Sequence, residues 1–281
     1  MNTLTDAEYA ATKAINWSSL KHMATSPMAF QHSLRNPEPE TEARALGTAL
    51  HCAILEPLVF RQRYAIMPDF GDLRATEGRT TKEQGKANKE ARARWLEEHK
   101  GMEILTAEDS ERIANMSAAV RGHRAALAAI AGATEQVVLW KDALTGLACK
   151  GRLDAITEGV CDVKTAVDVS PRAFGFAAAK YLYHGQLAFY HDGLIASSRM
   201  VPKRLPLLVA IQSRAPWDVA VYNLQSEHIE AGRMLYQRLL RRLVECSAAD
   251  WWPGVAPEIM PLQLPSWAIN AETNHFESED F

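Results

Sequence analysis

Two short alternating runs, split by a three-residue turn, constrain this chain more than any other feature. Gly151-Arg152-Leu153-Asp154-Ala155-Ile156, a turn at Thr157-Glu158-Gly159, and Val160-Cys161-Asp162-Val163-Lys164-Thr165 read as a β-hairpin with a carboxylate on each arm. Side chains alternate along a strand, so Asp162 and Lys164 share a face. Asp154, near the end of the first arm, can approach Asp162 across the pair. The residues around them are otherwise apolar or small, and charge on the inward side of a central strand is costly unless paired or metal-bound. Two carboxylates and an ammonium make a compact site for a divalent cation and a water. Mg²⁺ takes oxygen ligands and keeps several of its own waters, and the lysine can hold or activate one. This is the chemistry of metal-assisted phosphodiester hydrolysis. The plainer alternative is a pair of strand ends carrying ordinary surface charges.

At 281 residues, 47% hydrophobic and 23% charged, the chain can bury a sizeable core without staples. Cys52, Cys149, Cys161 and Cys246 are far apart and form no C-x-x-C pair, which argues against a zinc ribbon or Cys-ligated cluster and for reduced thiols in a cytoplasm. The first residues show no basic and apolar leader, and no apolar run approaches the length of a membrane span. A net charge of −3 argues against indiscriminate coating of nucleic acid, yet a basic channel can coexist with an acidic exterior. The cations of residues 72–100 (Arg74, Arg79, Lys82, Lys86, Lys89, Arg92, Arg94, Lys100) are interleaved with acids, as on a solvated helix face.

Helical stretches are expected over 16–35 (capped by Asn16 or Ser18, interrupted at Pro27), 42–55, 107–131, and from Ser170-Pro171 to about Ile195 with weak points at Gly175 and Gly185. A last one opens at Ser226, with Ile229, Leu235, Leu239 and Leu243 along one stripe. Strands are expected at 135–140, 147–156, 160–166, 207–211 and 219–222, and a surface loop at about 66–80. The simplest account is one α/β domain over 1–281: a helical N-terminal part (1–105), a core (106–246) and a segment rich in proline and aromatics (247–281).

Further candidates surround the hairpin. Glu135 opens the preceding strand; alone it is an ordinary strand-end charge, and beside the carboxylate pair it is a third acid. Arg44, Thr48 and His51 fall on one helix face. His51 reads equally as a satisfied core or boundary histidine. Gln186 and Tyr190, four apart, share a face that is either a mixed boundary or a set of donors to a phosphate or water.

The order of these motifs resembles the PD-(D/E)XK nucleases. Gly151-Arg152-Leu153-Asp154 followed by Asp162-Val163-Lys164 resembles their signature, without the proline before Asp154. Gln186-x-x-x-Tyr190 and Gly47-Thr48-Ala49-Leu50-His51 resemble two motifs of the RecB-like branch. Asn16-Trp17-Ser18-Ser19-Leu20-Lys21, Ser26-Pro27-Met28-Ala29-Phe30, His184-Gly185-Gln186-Leu187-Ala188-Phe189-Tyr190 and Leu262-x-Leu264-Pro265-x-Trp267 extend the likeness to the RecE-type (exodeoxyribonuclease VIII) nuclease domains over nearly the whole chain.

The resemblance implies a restriction-endonuclease-like core, a mixed central β-sheet flanked by helices, with helical additions at the N-terminus. It implies that Asp154, Asp162, His51 and the Val163 carbonyl ligate Mg²⁺, with Mn²⁺ able to substitute. Lys164 would orient or deprotonate the attacking water, Glu135 would assist through a water, and Gln186 and Tyr190 would support the site or the scissile strand. It further implies a 5′→3′ exonuclease on double-stranded DNA ends, a homo-oligomeric ring and a single-strand annealing protein as partner. Ser18, Ser19, Lys21, Arg44 and Thr48 are candidates to grip a 5′-phosphate, since hydroxyls and cations near a helix start suit that dianion. Capping by the serines is the ordinary alternative.

Overall fold

The computed structural model describes residues 4–36, 39, 41–71, 82–198 and 201–266, without the side chains of Asp6, Lys82, Thr134 and Glu135. In chain order come α1 (Asp6–Ala11), α2 (Trp17–Leu20), a 3₁₀ turn (Lys21–Ala24), α3 (Pro27–Arg35), α4 (Glu42–Leu55), α5 (Pro57–Arg63), β1 (Tyr64–Ile66), α6 (Lys82–Glu98) and β2 (Glu103–Leu105). There follow α7 (Ala107–Gly122), α8 (Arg124–Ile130), β3 (Thr134–Lys141), β4 (Ala148–Ile156), β5 (Val160–Ala166), α9 (Pro171–Lys180), α10 (Tyr183–Ser198), β6 (Leu207–Gln212), β7 (Val219–Asn223) and α11 (Ser226–Ala249).

The main sheet has the order β3-β4-β5-β6-β7. Only β5 and β6 run parallel; the other neighbours are antiparallel. A parallel pair needs a long crossover, and α9 with α10 supplies it. Alternation along β6 sends Leu208 and Ala210 to one hydrophobic core and Val209 and Ile211 to the other. The first core is built with α2, α3, α10 and α11, the second with α4, α7 and α8, so the sheet is covered on both faces. This is the mixed α/β architecture expected from the sequence.

Helix α10 buries Leu187, Ala188, Phe189, Tyr190 and Leu194 between the sheet and α11. Two glycines allow that closeness. A Cβ on Gly232 would come 2.2 Å from the His184 carbonyl oxygen, and one on Gly185 would come 2.4 Å from the Trp17 ring.

Several expectations are corrected. The helix expected from 171 to about 195 is two, broken at Tyr181-Leu182, where Leu182 has φ +58. Gly175 and Gly185 instead lie inside regular helices. The helix expected over 107–131 is also two, because the His123 side chain accepts from the Ala126 N–H and caps α8 (3.1 Å). The last helix does open at Ser226, as expected, with Gln225 at its N-cap position. The N-terminal part, expected to be helical, also holds the parallel pair β1–β2. Of the loop at about 66–80, residues 72–80 lie outside the described ones, as do Arg74, Arg79 and Trp267.

Candidate active site

The hairpin forms with a local departure that shapes the site. β3 and β4 shift register between Thr134–Ile156 and Gln136–Leu153, so Glu135 faces two residues, Asp154 and Ala155. Such a bulge re-aims side chains. β4 and β5 pair at Ala155–Cys161 and Ile156–Val160. Beyond that, the Val163 N–H donates to the Asp154 carboxylate (Oδ2, 2.9 Å) in place of a strand carbonyl. A residue's N–H and C=O leave a strand by the same edge, so the Val163 carbonyl also faces the Asp154 side.

Four side chains gather around this point. His51 Nδ1 of α4 lies 3.4 Å from Asp154 Oδ2. The Lys164 ammonium is ion-paired with Asp162 Oδ2. Gln186 Nε2 of α10 donates to Asp162 Oδ1 (3.1 Å). Tyr190, one turn on, is buried with its ring against Gly151, where a Cβ would stand 3.0 Å from the ring. Both residues of the Q-x-x-x-Y pattern thus meet the hairpin. The Glu135 side chain lies outside the described residues.

The charges interact strongly. Burial favours a neutral Asp154, but His51, Lys164 and the Val163 N–H together hold its carboxyl down at about 2. Asp162, 1% exposed, goes the other way. Burial pushes it up to about 6, aided by Asp154, and Lys164 only partly offsets this. Burial also pulls on His51 and Lys164, yet the facing carboxylates raise both above their ordinary values. The half-buried Asp154 and the buried Asp162, side by side, carry more negative charge than the lysine alone neutralises, and the rest falls to a His51 held toward its charged form.

That imbalance is one test of whether a divalent cation fits. A second is Asp162 Oδ2, which is buried and makes no hydrogen bond of good geometry; the Lys164 ammonium lies against it. Among the described residues, no three His, Cys, Asp or Glu side chains converge closely enough to form a ligand cluster by themselves. The available donors are two carboxylates, one imidazole and a backbone carbonyl. These suit a hard or borderline cation that keeps part of its water shell.

The grip residues expected from the sequence do not form one group. Asn16 Oδ1 accepts from the Ser19 N–H (2.9 Å) and from the Ser18 hydroxyl (3.1 Å), and it also takes the Ser19 hydroxyl. The capping residue is therefore Asn16. Ser18, Ser19 and Lys21 belong to the layer of α2 and α11, whereas Arg44 and Thr48 sit on α4 across the sheet. Thr48 donates to the Arg44 carbonyl (3.0 Å) and lines a cleft of about 440 Å³ with His51 and Asp154.

Other residues reach the site without having been singled out. Arg152 and Arg63 line the same cleft. Arg152 lies two residues before Asp154 on β4, a spacing that could have found it. Tyr9 of α1 stacks its ring under the Arg152 guanidinium, 4.8 Å from the centroid. Tyr183 places its ring 5.2 Å from Lys164 Nζ. The helix break before Tyr183 has no glycine or proline to announce it.

Residues 16–262 match the model of the PDDEXK-like domain of unknown function (DUF3799). The chain belongs to this PDDEXK-like family. Nucleases of the PDDEXK kind generally use a divalent metal, in keeping with the donors gathered here. The fold is also similar to the crystal structure of a "putative exonuclease" from Eubacterium rectale, with a TM-score of 0.62 over 96% of this chain and 99% of that one. Sequence identity is 12%, so the likeness is one of fold. No curated protein matches the chain. Among the described residues of this PDDEXK-like domain, no helix is long and apolar enough to cross a membrane.

Proposed function

We propose that the protein is a Mg²⁺-dependent 5′→3′ exonuclease that degrades double-stranded DNA from its ends and leaves 3′ overhangs for a single-strand annealing partner. The observation that carries the hydrolytic part is the joining of His51, Asp154, Asp162, Lys164 and Gln186 at the hairpin. The polarity, a ring-shaped homo-oligomer and the annealing partner rest on the resemblance to RecE-type nucleases.

Asp154, Asp162, the Val163 carbonyl and His51 would hold the cation, which when bound neutralises charge on the scissile phosphate and makes water a better nucleophile near neutral pH. Gln186 fixes Asp162 by donating to Oδ1. The Val163 N–H fixes Asp154 in the same way. The facing carboxylates keep Lys164 Nζ an ammonium, so it donates hydrogen bonds. In that form it would orient the attacking water and face the charge that develops on the phosphate. Once the carboxylates are turned to a cation they hold the ammonium less strongly, so Lys164 would then be able to take the water's proton as well.

The deciding experiment incubates purified protein with linear duplex and covalently closed circular DNA in Mg²⁺. Mononucleotides or short products released from the linear duplex alone support the proposal. Internal cuts in the circle would replace it with an endonuclease on the same core. No cleavage of either would indicate a binding protein.

A further inference from the structure

The cavity on the other side of the catalytic lysine has no part in the chemistry above. It measures about 690 Å³ and opens past the carboxyl end of β5, between α4 and α7 on one wall and α9 and the start of α10 on the other. Ligands of open α/β sheets favour such carboxyl ends. Phe174, Tyr181 and Tyr183 line it. Tyr181 stacks on Tyr183, with centroids 5.8 Å apart and planes at 26°. Tyr183 in turn reaches Lys164, as described. Tyr181 is 54% exposed, so the pair forms a shelf with one ring anchored at the catalytic lysine and the other presented to solvent.

Two observations favour a ligand for that shelf. The first is strain. Leu182, between the two tyrosines, sits at φ +58, a backbone region costly for a bulky side chain and met mainly where surrounding structure or function demands it. This conformation breaks the helix and brings both rings to the same side of the break. The second is charge. The cavity carries Glu42, Asp109 and Asp168 against Arg112. A row of phosphates would be repelled there, while an uncharged aromatic ring would not.

We infer that the Tyr181–Tyr183 shelf binds an unpaired nucleobase of the DNA substrate by face-to-face stacking, next to the point of cleavage. The inference rests on the nuclease reading and adds a contact to it. A hydrolase working on a duplex end has to hold nucleotides that have left the stack. Aromatic faces accept any base, so the contact suits a nuclease without sequence preference.

The test measures binding without turnover, in Ca²⁺, of linear duplexes whose terminal unpaired nucleotides carry 2-aminopurine. Expected are stacking-induced quenching by the wild-type protein and loss of that quenching with Tyr181→Ala. Affinity should fall about 5- to 150-fold, the range of one base–aromatic stack. Tyr181→Phe, which keeps the ring, should retain both signals. A substrate with an abasic nucleotide at the stacked position should bind the wild type as weakly as Tyr181→Ala binds the intact one. Combining the abasic site with Tyr181→Ala should add no further loss. Thermal melts check that the exposed position tolerates alanine.

If the wild-type protein cleaves linear duplex in Mg²⁺ but Tyr181→Ala quenches and binds like wild type, the shelf is wrong and the nuclease reading stands. The shelf is equally wrong if abasic substitution at every terminal position leaves binding unchanged. If the wild-type protein neither binds nor cleaves DNA, both fail together.

Discussion

At the scale of single residues, the decisive property of the site is negative charge held out of water. Asp162→Asn keeps the shape and the contact with Gln186 while removing the charge. If the carboxylate holds a cation, this variant should lose several kcal/mol of transition-state stabilisation, roughly a thousandfold in rate, with its fold retained. Lys164→Ala should lose a comparable amount. Nucleotide release in Mg²⁺ beside a thermal melt measures both, and near wild-type turnover by either variant would remove the assignment. Mn²⁺ should substitute for Mg²⁺, Ca²⁺ should bind with little turnover because it is larger and looser in geometry, and EDTA should abolish hydrolysis. His51 separates two readings of a histidine. Its side chain is 29% exposed and faces Asp154, which is a poor description of a core residue. His51→Ala should therefore raise the Mg²⁺ concentration needed for half-maximal activity while shifting the melting temperature little. A large drop in melting temperature with normal activity per folded molecule would restore the core reading.

At the scale of elements, α10 joins site and scaffold, since it carries Gln186 and Tyr190 on one side and packs on α11 with the other. The α10–α11 contact leaves no room for a methyl group at Gly232, where the obstacle is the His184 carbonyl, a backbone atom that cannot swing away. Gly232→Ala should cost about 1–3 kcal/mol, the usual range for overpacking a tight contact, and lower the melting temperature. Activity should fall with it if Gln186 is displaced. An unchanged melt would mean that α11 moves more freely than its packing implies. The same elements show what a sequence discloses. The hairpin, α4 with its bounds, β6, β7 and the α11 stripe follow from period, caps and turns, which are local. The break at Leu182 and the β1–β2 pair do not, because distant contacts decide them; the cap at His123 and the Thr5–Glu8 capping box of α1 are local, but histidine is an uncommon cap and α1 is only six residues long. His51, Asp154, Asp162, Lys164, Gln186 and Tyr190 were legible as positions because motif spacing survives whatever the packing does. Arg152, two residues before Asp154 on the same strand, was within reach of that spacing, whereas Tyr9 and Tyr183 join through tertiary placement, which pattern alone does not carry.

At the scale of the whole molecule, a net charge of −3 has to be reconciled with the polyanionic substrate proposed for it. A protein that coats duplex binds anywhere along it, with phosphate contacts setting a steep salt dependence. A protein that acts at ends needs few such contacts, provided that it recognises the end itself, and a 5′-phosphate is the distinctive charge there. Ser18 and Ser19 have their hydroxyls taken by the Asn16 cap, and Thr48 donates its own to the Arg44 carbonyl, so an end grip would draw chiefly on cations such as Arg44. Linear duplex with a 5′-phosphate should accordingly be degraded faster than its dephosphorylated counterpart, and a closed circle should resist. Arg44→Ala with Thr48→Ala should narrow the gap between the two linear substrates, whereas Ser18→Ala with Ser19→Ala should leave it and act only on stability. The assay compares initial rates on the three DNAs for each variant at fixed salt, with light scattering to report the oligomer. Equal rates on all three DNAs would end the end-gripping model. A preference for the 5′-phosphate lost only in the serine variant would move the grip to the start of α2, on the opposite layer of the sheet.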